Sequence, residues 1–157
     1  MYAESGRVLS NNKSPWILAV EDSATDMYLL QRVLDETPKP PQIIQARDGE
    51  RAIQLLRDLA ANHEILPDLI VIDLNLPRVD GYQVLAHLRS NDAFQEIPIV
   101  AVTSSQAEGD RKRALAGGAD AYFVKPMDIA SYRQLPGAMD DARRVRLTKL
   151  TPFPQGN

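Results

Sequence analysis

Five short apolar runs, rich in Val and Ile, recur along the chain, and no other feature constrains its fold as tightly. They occupy residues 16–20, 43–46, 69–72, 97–102 and 121–124, and begin near Trp16, Gln42, Asp68, Ile97 and Asp120, at intervals of about 26, 26, 29 and 23 residues. The gaps carry helical periodicity, as with Leu29, Leu30, Val33 and Leu34 in the first and Ile53, Leu55, Leu56 and Leu59 in the second. Runs as continuously apolar as Leu69-Ile70-Val71-Ile72 suit strands buried on both faces, the situation in parallel sheets covered by helices on either side. The expectation is one α/β domain with a doubly wound parallel sheet.

Helix-start signals fall where this alternation needs them. Ser23-Ala24-Thr25-Asp26 and Ser105-Gln106-Ala107-Glu108 fit the capping-box pattern, and Asp48 and Asp80 each precede a Gly. With 157 residues, 44% of them apolar, one sizeable core can be filled but two full domains cannot. The predicted division is an N-terminal tail over 1–14, a core over 15–150 and a C-terminal tail over 151–157, where Pro152, Pro154 and Gly156 disfavour regular structure.

Composition removes whole classes of chemistry. There is no cysteine, which excludes disulfides, thiolate metal sites and cysteine nucleophiles. His63 and His87, the only histidines, lack metal-ligand spacing, so any metal must be a hard cation held by oxygens. A net charge of −3 argues against nucleic acid as a partner of the whole surface. Residues 1–14 contain no signal-peptide core and no run of ~18 apolar residues exists, so the sequence predicts a cytoplasmic chain without membrane association.

In open parallel sheets, ligands bind beyond the carboxyl ends of the strands. Here the first run ends in Glu21-Asp22, the third in Asp73, the fourth in Thr103 and the fifth in Lys125. Each has an ordinary structural reading: Asp22 as a helix cap, Glu21 at a helix dipole, Thr103 as a strand former, Lys125 reaching to solvent. Together, four of the five strands deliver a polar group to one edge. Three converging carboxylates repel one another unless a counter-ion joins them, and among oxygen-ligated cations Mg2+ suits a site with few protein ligands. A lysine and a hydroxyl complete what phosphoryl transfer requires, with Asp73 as the candidate nucleophile. Asp73-Leu74-Asn75 is no calcium loop, because Pro77 and Arg78 occupy its fifth and sixth positions, the sixth belonging to Gly. Nor does it match haloacid-dehalogenase-type phosphatases, since Asn75 cannot serve as their second acid.

These residues resemble the receiver domain of two-component response regulators. The resemblance runs from Ile17-Leu18-Ala19-Val20-Glu21-Asp22 through Ala46-Arg47-Asp48-Gly49 and Asp68-Leu69-Ile70-Val71-Ile72-Asp73-Leu74-Asn75-Leu76-Pro77, with Asp80-Gly81, to Val102-Thr103-Ser104 and Lys125-Pro126. The Asp73–Pro77 run, the lack of an output domain and the extended C-terminus look most like the small stand-alone regulators paired with bacterial phytochromes. The resemblance implies a five-stranded flavodoxin-like sheet of order 2-1-3-4-5. It implies Asp73 as phosphoacceptor for a sensor histidine kinase, with Mg2+ held by Glu21, Asp22, Asp73 and the main-chain carbonyl of Asn75, leaving the Asn75 side chain to modulate access of water. It further implies Lys125 as phosphoryl partner, a cis peptide between Lys125 and Pro126, room for phosphate beside Ser104, and Thr103 with Tyr122 as a coupled switch. A hydroxyl bond from Thr103 to a phosphate oxygen is worth about 1.5 to 3 kcal/mol, one to two powers of ten in a two-state population. A downstream protein partner is implied, and a homodimer is expected of the subfamily.

Several features depart from that pattern. Pro136-Gly137 interrupts the last helix, so a break, or a restart with Pro136 in a first turn, is expected, and this puts the usual dimer face in question. Leu76 and Val79 stand where many relatives carry Met, a conservative exchange. Arg143, Arg144, Arg146 and Lys149 read as a solvated, dipole-compatible helix face, with self-association or an anionic partner as the sharper alternative. Two rival functions stay open: an Mg2+-dependent phosphohydrolase acting on an external substrate, against which the absence of a general acid and a cap insertion speaks, and an adaptor that no longer uses phosphate. The favoured reading is not an enzyme in the ordinary sense, catalysing only its own phosphoryl transfer and dephosphorylation.

Overall fold

The computed structural model describes residues 16–151; the predicted tail over 1–14 and positions 152–157 lie outside the described residues. Five strands, β1 (Trp16–Val20), β2 (Gln42–Ala46), β3 (Leu69–Asp73), β4 (Ile99–Thr103) and β5 (Ala121–Val124), alternate with α1 (Ala24–Asp35), α2 (Gly49–Ala61), α3 (Gly81–Arg89) and α4 (Glu108–Ala116). A short α5 (Ile129–Tyr132) and a long α6 (Leu135–Leu150) complete the chain. The sheet is parallel throughout, in the order β2-β1-β3-β4-β5, as the resemblance implied. The fourth run proves shorter at its start than expected, because Pro98 has no N–H to donate, and pairing begins at Ile99.

Every residue of β1, β3 and β4 is buried, and alternate residues serve opposite faces. Leu18, Val20, Ile70, Ile72, Ile99 and Ala101 pack with α2, α3 and α4 residues such as Leu56, Leu85 and Ala114. Ile17, Ala19, Leu69, Val71, Val100 and Val102 pack with α1 and α6 through Leu34, Leu135 and Met139. The register sets the strand ends side by side: Val20 opposes both Ala46 and Ile72, Asp73 opposes Val102, and Thr103 opposes Val124. The polar residues that close or follow four of the strands therefore share one rim.

Ser23, Asp48 and Asp80 cap α1, α2 and α3, each accepting from an amide three residues on, and Asp80 with Gln83 forms a reciprocal capping box. The box expected from Ser105 and Glu108 does not form. α4 starts only at Glu108, and the Ser105 hydroxyl instead accepts from Ala107 N at 3.2 Å and donates to Asp110, so the short loop satisfies itself. The chain does break and restart around Pro136: α5 ends at Tyr132 and Pro136 sits in the first turn of α6, where a missing N–H costs nothing.

The basic run on α6 is a solvated face only in part: Arg144 and Lys149 are exposed and Arg143 partly so, but Arg146 is not. Arg143 and Arg144 pair with Asp140 and Asp141 on their own helix, but Arg146 is buried and grips Asp120, its Nη2 at 2.8 Å from Oδ1, and Lys149 adds a contact at 3.3 Å. Arg89 reaches the other Asp120 oxygen at 2.9 Å. The packing of α6 along β4 and β5 carries its last turn to the amino edge of the sheet, where Asp120, just ahead of β5, has no exposed side-chain surface.

Candidate functional site

At the carboxyl rim, β1 hands on directly to Glu21 and Asp22, β3 ends on Asp73 and β4 on Thr103, while Lys125 follows β5. Lys125 N still donates to Thr103 O at 2.8 Å, extending the ladder by one residue and aiming the side chain across the rim. Its ammonium lies 2.8 Å from Asp26 Oδ2, 2.9 Å from Glu21 Oε2 and 2.9 Å from Asp73 Oδ2. Carboxylate oxygens of Glu21, Asp22 and Asp73 all lie within 4.8 Å of one another.

The expected cis bond before Pro126 is a correction, for no cis peptide occurs among the described residues. Trans is the lower-energy form of an X–Pro bond by about 0.5 to 1 kcal/mol, and with Lys125 already fixed by the β4 ladder its ammonium reaches the three acids on a trans chain.

The second oxygen of Asp73 is held too: Oδ1 accepts from Asn75 N at 2.9 Å. The Asn75 side chain donates to Thr103 Oγ1 at 3.2 Å, and Ser105 N donates to the same hydroxyl at 3.2 Å. This fixes Thr103 beside the aspartate. Tyr122 is half-buried, with its hydroxyl donating to Ser105 O at 2.9 Å, and burial raises its pKa. Gly81 is required where α3 passes over the site, since a Cβ there would lie 2.4 Å from Asp73 O and 2.5 Å from Leu74 Cα. In the loop between them, Arg78 takes a φ of 61° and leans toward Asp48 at 3.7 Å.

The charge balance of this rim is uneven. Asp73 and Glu21 are buried, and four carboxylates face one ammonium. Burial pushes the Glu21 carboxyl up to about 7, with Asp73 adding repulsion that Lys125 and the Ser23 amide only partly offset. Although burial works against its charge, the hydrogen bonds to Asp26, Glu21 and Asp73 raise the Lys125 ammonium above its ordinary range. A hard divalent cation fits such a place: every donor of the cluster is a carboxylate oxygen, and negative charge there exceeds positive.

All the predicted side chains therefore gather at one edge, with Tyr122 one strand-width away behind Ser105. Sequence reasoning missed Asp26, which entered only as part of a capping pattern. The cap uses its amide, leaving its carboxylate free to turn to Lys125. The signal available was its place one helical turn after Asp22, on the side of α1 that meets the rim. A cavity of about 730 Å³ between α1 and α6, lined by Leu34, Pro41, Pro136 and Met139 among others, contains none of these groups; the acidic cluster sits on an open rim instead.

Comparison with known proteins agrees with this geometry. Residues 17–135 match the family described as response regulator receiver domain. The polar-differentiation response regulator DivK of Brucella anthropi is 34% identical over 116 residues, covering 74% of this chain and 88% of its own. The crystal structure of the phosphorylated cyanobacterial phytochrome response regulator RcpA superposes with a TM-score of 0.70 at 30% identity, covering 88% of this chain and 97% of the other. The bacteriophytochrome response regulator RtBRR gives 0.66 at 30% identity, covering 91% and 99%. With five parallel strands in the same order and an acidic cluster at the rim, the chain belongs to the response regulator receiver domains of two-component signalling.

Proposed function

We propose that this receiver domain accepts a phosphoryl group on Asp73 from the phosphohistidine of a sensor histidine kinase, and that the modification switches its partner-binding surface. One observation carries the reading: a buried aspartate at the end of a central strand, bonded to a lysine ammonium at 2.9 Å and clustered with two further carboxylates. In the transfer, an Asp73 oxygen forms a bond to phosphorus while the phosphorus–nitrogen bond breaks, and its electron pair stays on the departing imidazole. Glu21, Asp22, Asp73 and the main-chain carbonyl of Asn75 would hold Mg2+, which when bound offsets the charge that gathers on the phosphoryl oxygens.

The chain's own groups do the rest. The amide of Asn75 holds one Asp73 oxygen, so the carboxylate is oriented before a donor arrives. Lys125 supplies a positive partner for the phosphoryl group. Thr103 accepts from Asn75 and Ser105, which leaves its own O–H free to donate to a phosphoryl oxygen. That bond draws Thr103 inward, and Tyr122, tied to the next loop through Ser105 O, follows into the space. The relatedness to RcpA and RtBRR supports a phytochrome-type kinase as the donor.

Incubation with Mg2+ and a small acyl phosphate donor is expected to load one phosphoryl group per chain, read by intact mass, and Asp73→Asn to abolish it. Full labelling of the variant, or sustained turnover of donor far beyond the rate of loss of bound phosphate, would defeat the assignment.

A further inference from the structure

The Lys125 ammonium has three N–H bonds to donate, and three carboxylates take them. A phosphoryl group on Asp73 brings oxygens that need the same ammonium, so one resident partner must give way. Asp73 is fixed by the chemistry and has 6% of its side chain exposed; Glu21, at 11%, also holds Ser23 N at 3.0 Å. Asp26 is 28% exposed, makes no other side-chain hydrogen bond among the described residues, and stands in the first turn of α1. There the helix dipole favours its negative charge after release. Its return to water therefore costs least.

Resting on the phosphoacceptor reading above, we propose that Asp26 is a positioning residue, a placeholder that occupies in the unphosphorylated protein the Lys125 N–H which a phosphoryl oxygen takes upon transfer. The resident carboxylate aligns the ammonium beside Asp73 and competes with the incoming anion for it. Only hydrogen bonds are exchanged; the phosphoryl bond itself forms at Asp73. Asp26 thus tunes how readily the site accepts phosphoryl, and the first turn of α1 senses the state of Asp73 through the loss of one ion pair.

The test uses beryllium trifluoride, a non-covalent phosphoryl mimic, with Mg2+ and the full chain in a calorimetric titration. Asp26→Asn and Asp26→Ser are both expected to bind it at least fivefold more tightly than the wild type, a gain that a merely structural role does not produce. Asp128→Asn removes a charge three residues from Lys125 without touching it, since Asp128 caps α5 and Asn caps equally well. It should change affinity less than twofold. Equal or weaker binding by both Asp26 variants, or the same gain in Asp128→Asn, overturns the placeholder. If the wild type binds the probe through Asp73 while the Asp26 variants match it, only this inference fails. If the wild type takes up no probe, the phosphoacceptor reading falls and carries this one with it.

Discussion

The two edges of the sheet solve the same problem in opposite ways. At the amino edge a single carboxylate, Asp120, is surrounded by Arg89, Arg146 and Lys149, and also accepts the amide of Ile99 at 2.9 Å. The spare guanidinium donors go to main-chain carbonyls: Arg89 to Gly118 and Phe94, Arg146 to Gly118 and Gln95. Positive charge is in excess there, but Asp120 and both guanidinium groups are bonded on every side. At the carboxyl edge four carboxylates gather where one ammonium bonds three of them, and the shortfall shows in Glu21, which burial pushes up to about 7. Fully bonded charge fastens α3 and α6 to the sheet; the carboxyl edge leaves an excess of carboxylate oxygens without a cation. Burial of ions does not by itself mark a functional centre, and the imbalance of sign with unfilled bonding capacity is what separates these two.

Removing Asp120 should give the largest effect. Asp120→Ala leaves two buried guanidinium groups unpaired and is expected to cost about 3 to 5 kcal/mol in urea unfolding. Burial, together with the neighbouring Arg146, already lowers the Arg89 pKa to about 10, so that group is poorly placed to lose its counter-ion. A loss below about 1 kcal/mol would break the contrast, because the amino edge would then be no fastening at all.

At the other edge the sensitive variable is pH. The folded-state carboxyl of Glu21 lies above its ordinary value of 4.5, so between 4.5 and about 7 the folded chain binds more proton than the unfolded one. Its contribution is most favourable below 4.5 and is lost as pH rises to about 7, after which it is flat. The difference in stability between metal-free wild type and Glu21→Gln should therefore move against the wild type by about 3 kcal/mol across that window. Saturating Mg2+ should flatten the curve. A difference that stays constant from pH 4 to 8 would remove the imbalance on which the comparison rests.

The smallest effect is expected at Lys149, which touches Asp120 but is 45% exposed. Lys149→Ala should change stability by under 1 kcal/mol, with a salt dependence that the buried pairs lack. A cost approaching that of Asp120→Ala would mean that the outer cation, rather than the two arginines, closes the cluster.

The two edges also differ in how much of them a reader of the sequence meets. β1 leads straight into Glu21 and Asp22 and β3 ends on Asp73 because their apolar runs end there, and a parallel sheet aligns those ends automatically, so Glu21, Asp22, Asp73, Thr103 and Lys125 were all visible as one group. Helix starts at Ser23, Asp48 and Asp80 were visible for the same local reason. The Asp120–Arg146 pair spans 26 residues and depends on the angle at which α6 crosses the sheet, which no local pattern encodes. Asp26 was hidden differently: its amide and its side chain serve two structures at once, and only the cap has a sequence signature. The bond before Pro126 was drawn from resemblance alone, and the continued β4 ladder through Lys125 shows why residue type does not fix the isomer.

Adjacent residues of each central strand belong to different halves of the interior, Ile17 to one and Leu18 to the other. The sheet thus acts as a partition wall: a lineage can refit the helices on one side to a new binding companion without disturbing the packing behind, while the acidic rim, which belongs to the wall itself, stays as it was.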